Sequence, residues 1–225
     1  MEVINLIKGQ TIDLRKGAKG QEDVYDLSTV TIGLGWDVRE TKKGFFEKLL
    51  AQKEEDYDLD AIAFLLDANG KVADLGKTVL TSAGTNRDLY QGDVIYFNSL
   101  QHPSGHIWLT GDNRTGDGDG DDEQIIVKLD SLSQNYQRIL FIVSIYQGLK
   151  HNQHFGMLDN AFIRAVDAKG KEIAKYSLSG DASLNNKCSM VFAEVYRKDK
   201  DWKFRAISDT FASDNFIEIL KKYMY

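Results

Sequence analysis

The chain has 225 residues, of which 42% are hydrophobic, and it carries a net charge of -6 and a single cysteine. This size fits one large β domain or two small ones. The acidic balance excludes a broad basic surface for nucleic acid, and one cysteine excludes an intramolecular disulfide framework and a cysteine zinc site. The N-terminus lacks the signal-peptide pattern, and no apolar run is long enough to span a membrane. We therefore expect a soluble cytoplasmic protein.

Most apolar runs are short, rich in β-branched and aromatic residues, and bounded by Gly, Asp or Asn, which is typical of strands. In chain order they are Val3–Leu6, Thr11–Leu14, Thr29–Leu34, Leu59–Leu66, Val94–Phe97, Ile107–Thr110, Gln124–Leu129, Ile139–Tyr146, Ala161–Val166, Glu172–Ser177, Ser189–Tyr196 and Trp202–Ala206. Turn signals at Asn69-Gly70 and Lys169-Gly170 predict hairpins. Many short strands at close spacing favour a sandwich over a parallel α/β sheet.

Helical signals are few. Residues 44–55 place apolar side chains at helical spacing, and a second helix follows Ser213 or Asp214, either of which would be its N-cap. The predicted fold class is therefore all-β: one β-sandwich domain over residues 1–225, with a C-terminal helix and one short inserted helix. The runs around Asp67-Ala68 and Asp167-Ala168 also resemble each other, which indicates either related halves or two similar hairpins.

One acidic loop dominates the charge of the chain. The residues from Asp112 to Glu123 carry a net charge of -5 out of the total of -6. Gly116, Gly118 and Gly120 alternate with aspartates, so that carboxylates recur at every second residue with a flexible joint between them. Calcium prefers about six to eight oxygen ligands, several of them carboxylates, and a divalent ion would offset the repulsion within the loop. The pattern therefore predicts a calcium site.

The loop is not an EF-hand. Counted from Asp112, Arg114 and Gly116 occupy positions where that motif needs oxygen ligands, and the flanking segments look like strands. A second acidic element, Asp58 and Asp60, would place two carboxylates on one face of a strand. The candidate metal ligands are Asp58, Asp60, Asn98, Asp112, Asn113, Asp117, Asp119, Asp121, Asp122 and Glu123.

Other interpretations compete with this one. The loop could be a solvated acidic turn, a purely structural calcium staple, or part of a metal-dependent hydrolase or phosphate-handling enzyme using the same carboxylate cluster, although the sequence offers no convincing general base. His151 and His154 could share a helical face and bind zinc, but no third ligand is evident. Gly33-x-Gly35 lacks the continuation of a dinucleotide-binding motif and predicts a tight strand end above Trp36.

Three blocks resemble the signature blocks of the TerD family of tellurium-resistance and general stress proteins: GLGWD at 33–37, DLDA with AFLL at 58–66, and GDNRTGDGDGDDE at 111–123. The later runs NAFIR, MVFAEVYR and WKFRA match in order, so the resemblance covers essentially the whole chain. It implies a β-sandwich that binds two calcium ions through the acidic loop and the DLD strand. It also implies a cytoplasmic role in tellurite, oxidative or other stress resistance, within a membrane-associated complex of related proteins, and the family has no settled enzymatic activity. Residues 39–55 and 74–93 depart from the family pattern as insertions, and they put a neutral ligand near Asn98 in doubt.

Overall fold

Two antiparallel sheets make up most of the protein. The computed structural model describes residues 9–13, 25–38, 57–81, 84–110, 121–178, 182–199 and 201–225. The strands are β1 Thr11–Asp13, β2 Val30–Val38, β3 Leu59–Leu66, β4 Thr78–Thr81, β5 Gly84–Arg87, β6 Val94–Ile95, β7 Ile107–Leu109, β8 Glu123–Val127, β9 Arg138–Ile145, β10 Leu158–Asp167, β11 Glu172–Ser177, β12 Ser189–Lys198 and β13 Asp201–Phe211. The helices are α1 Gly148–His151 and α2 Phe216–Leu220, and single 3-10 turns span Leu129–Ser131, Phe155–Met157, Ala182–Leu184 and Lys221–Tyr223.

The order of the strands gives the sandwich. One sheet has six strands in the order β1-β13-β12-β9-β3-β6, the other has five in the order β11-β10-β2-β8-β7, and β4 pairs with β5 in a separate hairpin. The predicted all-β class with a C-terminal helix is confirmed. The predicted strand at Val3–Leu6 and the predicted helix at 44–55 lie outside the described residues.

Two apolar clusters explain why β3 is buried along its whole length. Its residues Leu59 and Ala61 belong to the core between the sheets, whereas Ile62 and Phe64 belong to an outer cluster that also contains Ile219 of α2. Because successive side chains of a strand point to opposite faces, both faces of β3 must be covered by other elements. The continuous apolar run of β3 is therefore a consequence of being covered by β8 on one side and by α2 on the other.

The C-terminal helix begins later than predicted. Asn215 is its N-cap, and its side chain accepts a hydrogen bond from the N–H of Ile217 at 3.1 Å. Ser213 and Asp214 do not serve as the cap because they are bound to the sheet beneath: their carbonyl oxygens accept hydrogen bonds from the hydroxyls of Ser189 and Ser144. The Asp214 carboxylate accepts from the N–H of Leu149 in α1.

The two predicted turns have the same backbone geometry. In each, the Asp N–H donates to the carbonyl of Lys71 or Lys171, and the glycine N–H donates back to the Asp carbonyl. Gly70 and Gly170 both have positive φ, at 72° and 78°, which glycine adopts without strain. The second turn joins β10 to β11 as a hairpin. After the first, the chain leaves the sheet, because the Val72 N–H binds the Tyr223 carbonyl and β6 occupies the edge of β3.

Candidate metal centre

The acidic loop connects two paired strands. β7 and β8 are antiparallel with Leu109 opposite Ile125, and the Thr110 N–H donates to the Gln124 carbonyl at 2.9 Å. The loop is therefore flanked by strands, as the sequence predicts. Residues 111–120 lie outside the described residues, and with them the candidate ligands Asp112, Asn113, Asp117 and Asp119. The structure does place the last three acids of the loop, Asp121, Asp122 and Glu123.

Asp122 fixes the end of the loop to β2. Its N–H donates to the Leu34 carbonyl at 2.8 Å, and its Oδ2 accepts from the Trp36 N–H at 3.0 Å. Trp36 is buried, and its ring Nε1 donates to the Tyr57 carbonyl at 3.1 Å. The expected strand end at Gly35 is wrong, since β2 continues to Val38. Trp36 thus joins the end of the acidic loop to the residue that precedes the DLD strand.

Glu123 joins the two sheets. Its side chain is buried, with 1% of the residue exposed, and its Oε2 accepts from the Ala61 N–H of β3 at 2.7 Å. That N–H is available because β6 pairs with β3 only at Ala63 and Phe64. The Glu123 carboxylate therefore satisfies the edge of β3 beyond the end of β6, and it brings the end of the acidic loop to the DLD strand.

Asp58 and Asp60 stand at the start of β3. Asp60 is 6% exposed and lies opposite Ser144 of β9, and the Asp58 carbonyl accepts from the Tyr146 N–H at 2.8 Å. Since Leu59 and Ala61 face the inter-sheet core, alternation puts Asp60 on the outer face of the six-stranded sheet. Asp60 and Glu123 are thus two buried acidic residues near the start of β3, and burial of a carboxylate is tolerated where hydrogen bonds or positive charge compensate it.

The Asp121 carboxylate binds Arg164 of β10. Its Oδ1 accepts from Arg164 Nε at 2.8 Å and its Oδ2 from Arg164 Nη2 at 3.1 Å. Gln124 Nε2 donates to the same Oδ2 at 3.2 Å. The bond to Asp121 raises the pKa of Arg164 above its ordinary value, so the guanidinium remains charged. Sequence reasoning missed Arg164; its place in the NAFIR run was the available signal.

Asn98 lies on the connection between β6 and β7. It is exposed and lines an open groove of about 610 Å³ together with Tyr90, Phe97, Leu100 and Gln101. Burial raises the pKa of Tyr96, and a hydrogen bond with the Asn98 side chain partly offsets that rise. The described contacts thus tie Asn98 to Tyr96, and its role as a calcium ligand stays a prediction.

A buried polar cluster beside this groove was not predicted from the sequence. Asp93, 1% exposed, accepts from the Tyr136 hydroxyl at 2.7 Å, and its Oδ1 lies 3.1 Å from Nε2 of His102. The Ser104 N–H donates to Nδ1 of His102, so both ring nitrogens are engaged within the fold. Burial and then Asp93 raise the pKa of Tyr136. This arrangement ties the β6–β7 connection to the segment before β9.

The remaining candidates show no metal-binding arrangement. α1 ends at His151 and Asn152 has a left-handed conformation, so His154 continues in an extended conformation and shares no helical face with His151. Among the described residues, no three His, Cys, Asp or Glu side chains are grouped so as to hold a metal ion.

Comparisons with known proteins agree on one family. The model of the TerD domain family matches residues 1–223. Tellurium resistance protein TerX of Serratia marcescens is 54% identical over 98% of this chain and 99% of its own length. Stress response protein SCP2 of Bacillus subtilis is 38% identical over the same shares. A solved homologue of telluride resistance protein TerD from Streptomyces coelicolor has the same fold, with a TM-score of 0.57 at 22% identity, covering 84% of this chain and 94% of the other. In the described part of the chain, no helix is long and apolar enough to cross a membrane.

Proposed function

This chain belongs to the TerD family of tellurium-resistance and stress-response proteins, and from that premise we propose that it is a calcium-binding scaffold whose acidic loop becomes ordered against the DLD strand. The observation that carries the proposal is the pair of bonds at the end of the loop. Asp122 binds Trp36 of β2 and Glu123 binds Ala61 of β3. Together they hold the end of the loop, Asp122 and Glu123, beside β2 and the start of β3.

The donor set fits a hard cation. Asp58, Asp60, Asp122 and Glu123 offer carboxylate oxygens at one end of the sandwich, and the aspartates of 112–119 with Asn113 add further carboxylate and amide oxygens. Calcium accepts such mixed oxygen ligands in irregular geometry, whereas magnesium demands a stricter octahedron. The number of acids is also consistent with the two ions that the family resemblance implies. Calcium would add positive charge beside these carboxylates.

An exposed aromatic residue next to Asp58 supports a scaffold role. Tyr146, whose N–H binds the Asp58 carbonyl, is an exposed aromatic residue in edge contact with Phe97. Calcium binding at the DLD strand would give a partner a calcium-dependent face there. The partners we propose are other stress-resistance proteins, assembled in a membrane-associated complex in the cytoplasm.

Calorimetric titration of the purified protein with calcium tests the proposal. We expect saturable binding of one or two ions, and the Asp117→Asn/Asp119→Asn double variant should bind at least about tenfold more weakly because two ligand charges are lost. Glu218→Gln, which removes an exposed charge from α2, is the matched control and should bind as the wild type does. Absence of calcium-dependent heat in the wild type would contradict the proposal.

The scaffold part is tested separately. A pull-down from a strain carrying the other resistance proteins should retain partners in calcium and release them in chelator, and the double variant should retain none. Equal recovery in calcium and chelator would leave calcium as a structural staple and would contradict the scaffold role.

A further inference from the structure

We propose that Asp121 is an anchor of the acidic loop rather than a calcium ligand, and that Arg164 is the residue that positions the loop through it. The inference deepens the proposed calcium function and rests on it. It assigns different tasks to the three acids at the end of the loop: Asp121 fixes it to the five-stranded sheet, and Asp122 and Glu123 direct it to the ion.

The contact between Arg164 and Asp121 is bidentate and shielded from water. Both carboxylate oxygens of Asp121 accept from Arg164, and the side chain of Asp121 is only 3% exposed, against 33% for Arg164. Two parallel charge-assisted bonds fix the relative orientation of the two groups as well as their distance. Gln124 occupies one of the oxygens further. Three of the roughly four acceptor sites of this carboxylate are thus already occupied.

Gly33 provides the space for this contact. Gly33 stands between Gln124 of β8 and Arg164 of β10 in the sheet. A Cβ atom on Gly33 would lie 2.2 Å from Cγ of Asp121, which is closer than atoms can approach. The Asp121 carboxylate thus rests directly on the backbone of β2, and the glycine of the GLGWD block is required there for a close approach.

Asp121 and Glu123 are directed to opposite sides of the five-stranded sheet. Ile32 and Leu34 flank Gly33 and face the inter-sheet core, so the Cβ direction of Gly33 marks the outer face, and Asp121 lies there. Glu123 reaches across the sandwich to Ala61 instead. The carboxylates of Asp121 and Glu123 therefore lie on opposite sides of the five-stranded sheet, and a single ion is not bound by both.

The positive charge of Arg164 acts on the negatively charged loop before calcium binds. The loop has a net charge of -5, and Arg164 contributes a permanent cation at its end. Because Arg164 already fixes that end, fewer residues have to be ordered when calcium binds. A binding site that is preorganised in this way has a higher affinity for its ligand. Arg164 thus acts through Asp121 on a site that it does not itself touch.

A double-mutant cycle of Arg164→Gln and Asp121→Asn tests the inference. Calcium affinity is measured by titration calorimetry, and the melting temperature is measured in chelator. Each single variant should bind calcium roughly fivefold more weakly, the lower range of coupling between sites. The double variant should bind no more weakly than either single one, since both substitutions break the same contact. Arg164→Lys should restore part of the affinity, and Lys175→Gln, a charge loss on the strand beside Arg164, should leave the calcium affinity unchanged.

Three results would overturn the inference. Tighter calcium binding by Arg164→Gln would mean that the arginine competes with the ion, and a further loss on adding Asp121→Asn to that variant would make Asp121 a direct ligand. The measurements in chelator stand apart from calcium: the single variants should melt lower by about 3 °C each and the double variant by no more. Additive losses there would refute the anchor, whereas a wild-type protein that binds no calcium refutes the proposed function itself.

Discussion

Replacement of Glu123 separates its structural role from its proposed role at the ion. In Glu123→Ala, the Ala61 N–H loses its acceptor in a place that water does not reach, and β6 is too short to replace it. An unpaired buried N–H costs about 1–3 kcal/mol. For a domain of this size, about 2 kcal/mol corresponds to a fall in melting temperature of roughly 4–8 °C.

Glu123→Gln gives the complementary result. Its amide oxygen still accepts from Ala61, so in chelator the variant should melt close to the wild type. Its neutral side chain is a poorer calcium ligand, and a tenfold loss of affinity removes about 1.4 kcal/mol of calcium stabilisation. The rise in melting temperature on adding saturating calcium to the wild type should therefore shrink by roughly 3–5 °C in this variant.

The assay is thermal unfolding followed by circular dichroism, in chelator and in calcium, with Glu218→Ala and Glu218→Gln as controls on the exposed face of α2. A wild-type melting temperature for Glu123→Ala in chelator would refute the claim that this bond secures the edge of β3. A full calcium shift in Glu123→Gln would refute the role of its charge at the ion.

Two further predictions concern the stability of the fold. Asp167→Ala should lower the free energy of unfolding, measured by urea titration, by about 3 kcal/mol. The reason is that this buried carboxylate accepts hydrogen bonds from three backbone N–H groups, two within its turn and one from Asp26. A loss below about 0.5 kcal/mol would contradict the reasoning. Because the folded-state pKa of Tyr136 is raised by burial and by Asp93, the unfolded chain loses this proton first. The contribution of the Tyr136 hydroxyl to stability is fully present below about pH 10 and is lost as pH rises toward the folded-state pKa. The free energy of unfolding should therefore fall less steeply between about pH 9 and 11 in Tyr136→Phe than in the wild type. Equal slopes would show that this hydroxyl does not titrate as proposed.

Local patterns predicted the strands well where each residue is governed by its neighbours in sequence. The bounds of β3 and β11 are those expected, because alternating or continuous apolar runs end at turn residues with fixed backbone preferences. The hairpin β4–β5 was not predicted, because its residues are largely polar or small and carry no alternation. The N-cap at Asn215 was also missed, since Ser213 and Asp214 are equally good caps in sequence and only their contacts with β9, β12 and α1 exclude them.

The sequence by itself determined the composition of the acidic loop. Its charge, its glycines and its place between two strands are properties of adjacent residues, and they suffice to indicate a hard cation and to exclude an EF-hand. It could not determine where each carboxylate points. The tertiary structure decided that Glu123 reaches Ala61 in the opposite sheet and that Asp121 rests on Gly33 and binds Arg164. Those contacts depend on strand order and register, which bring together residues 40 or more positions apart through packing that no local pattern encodes.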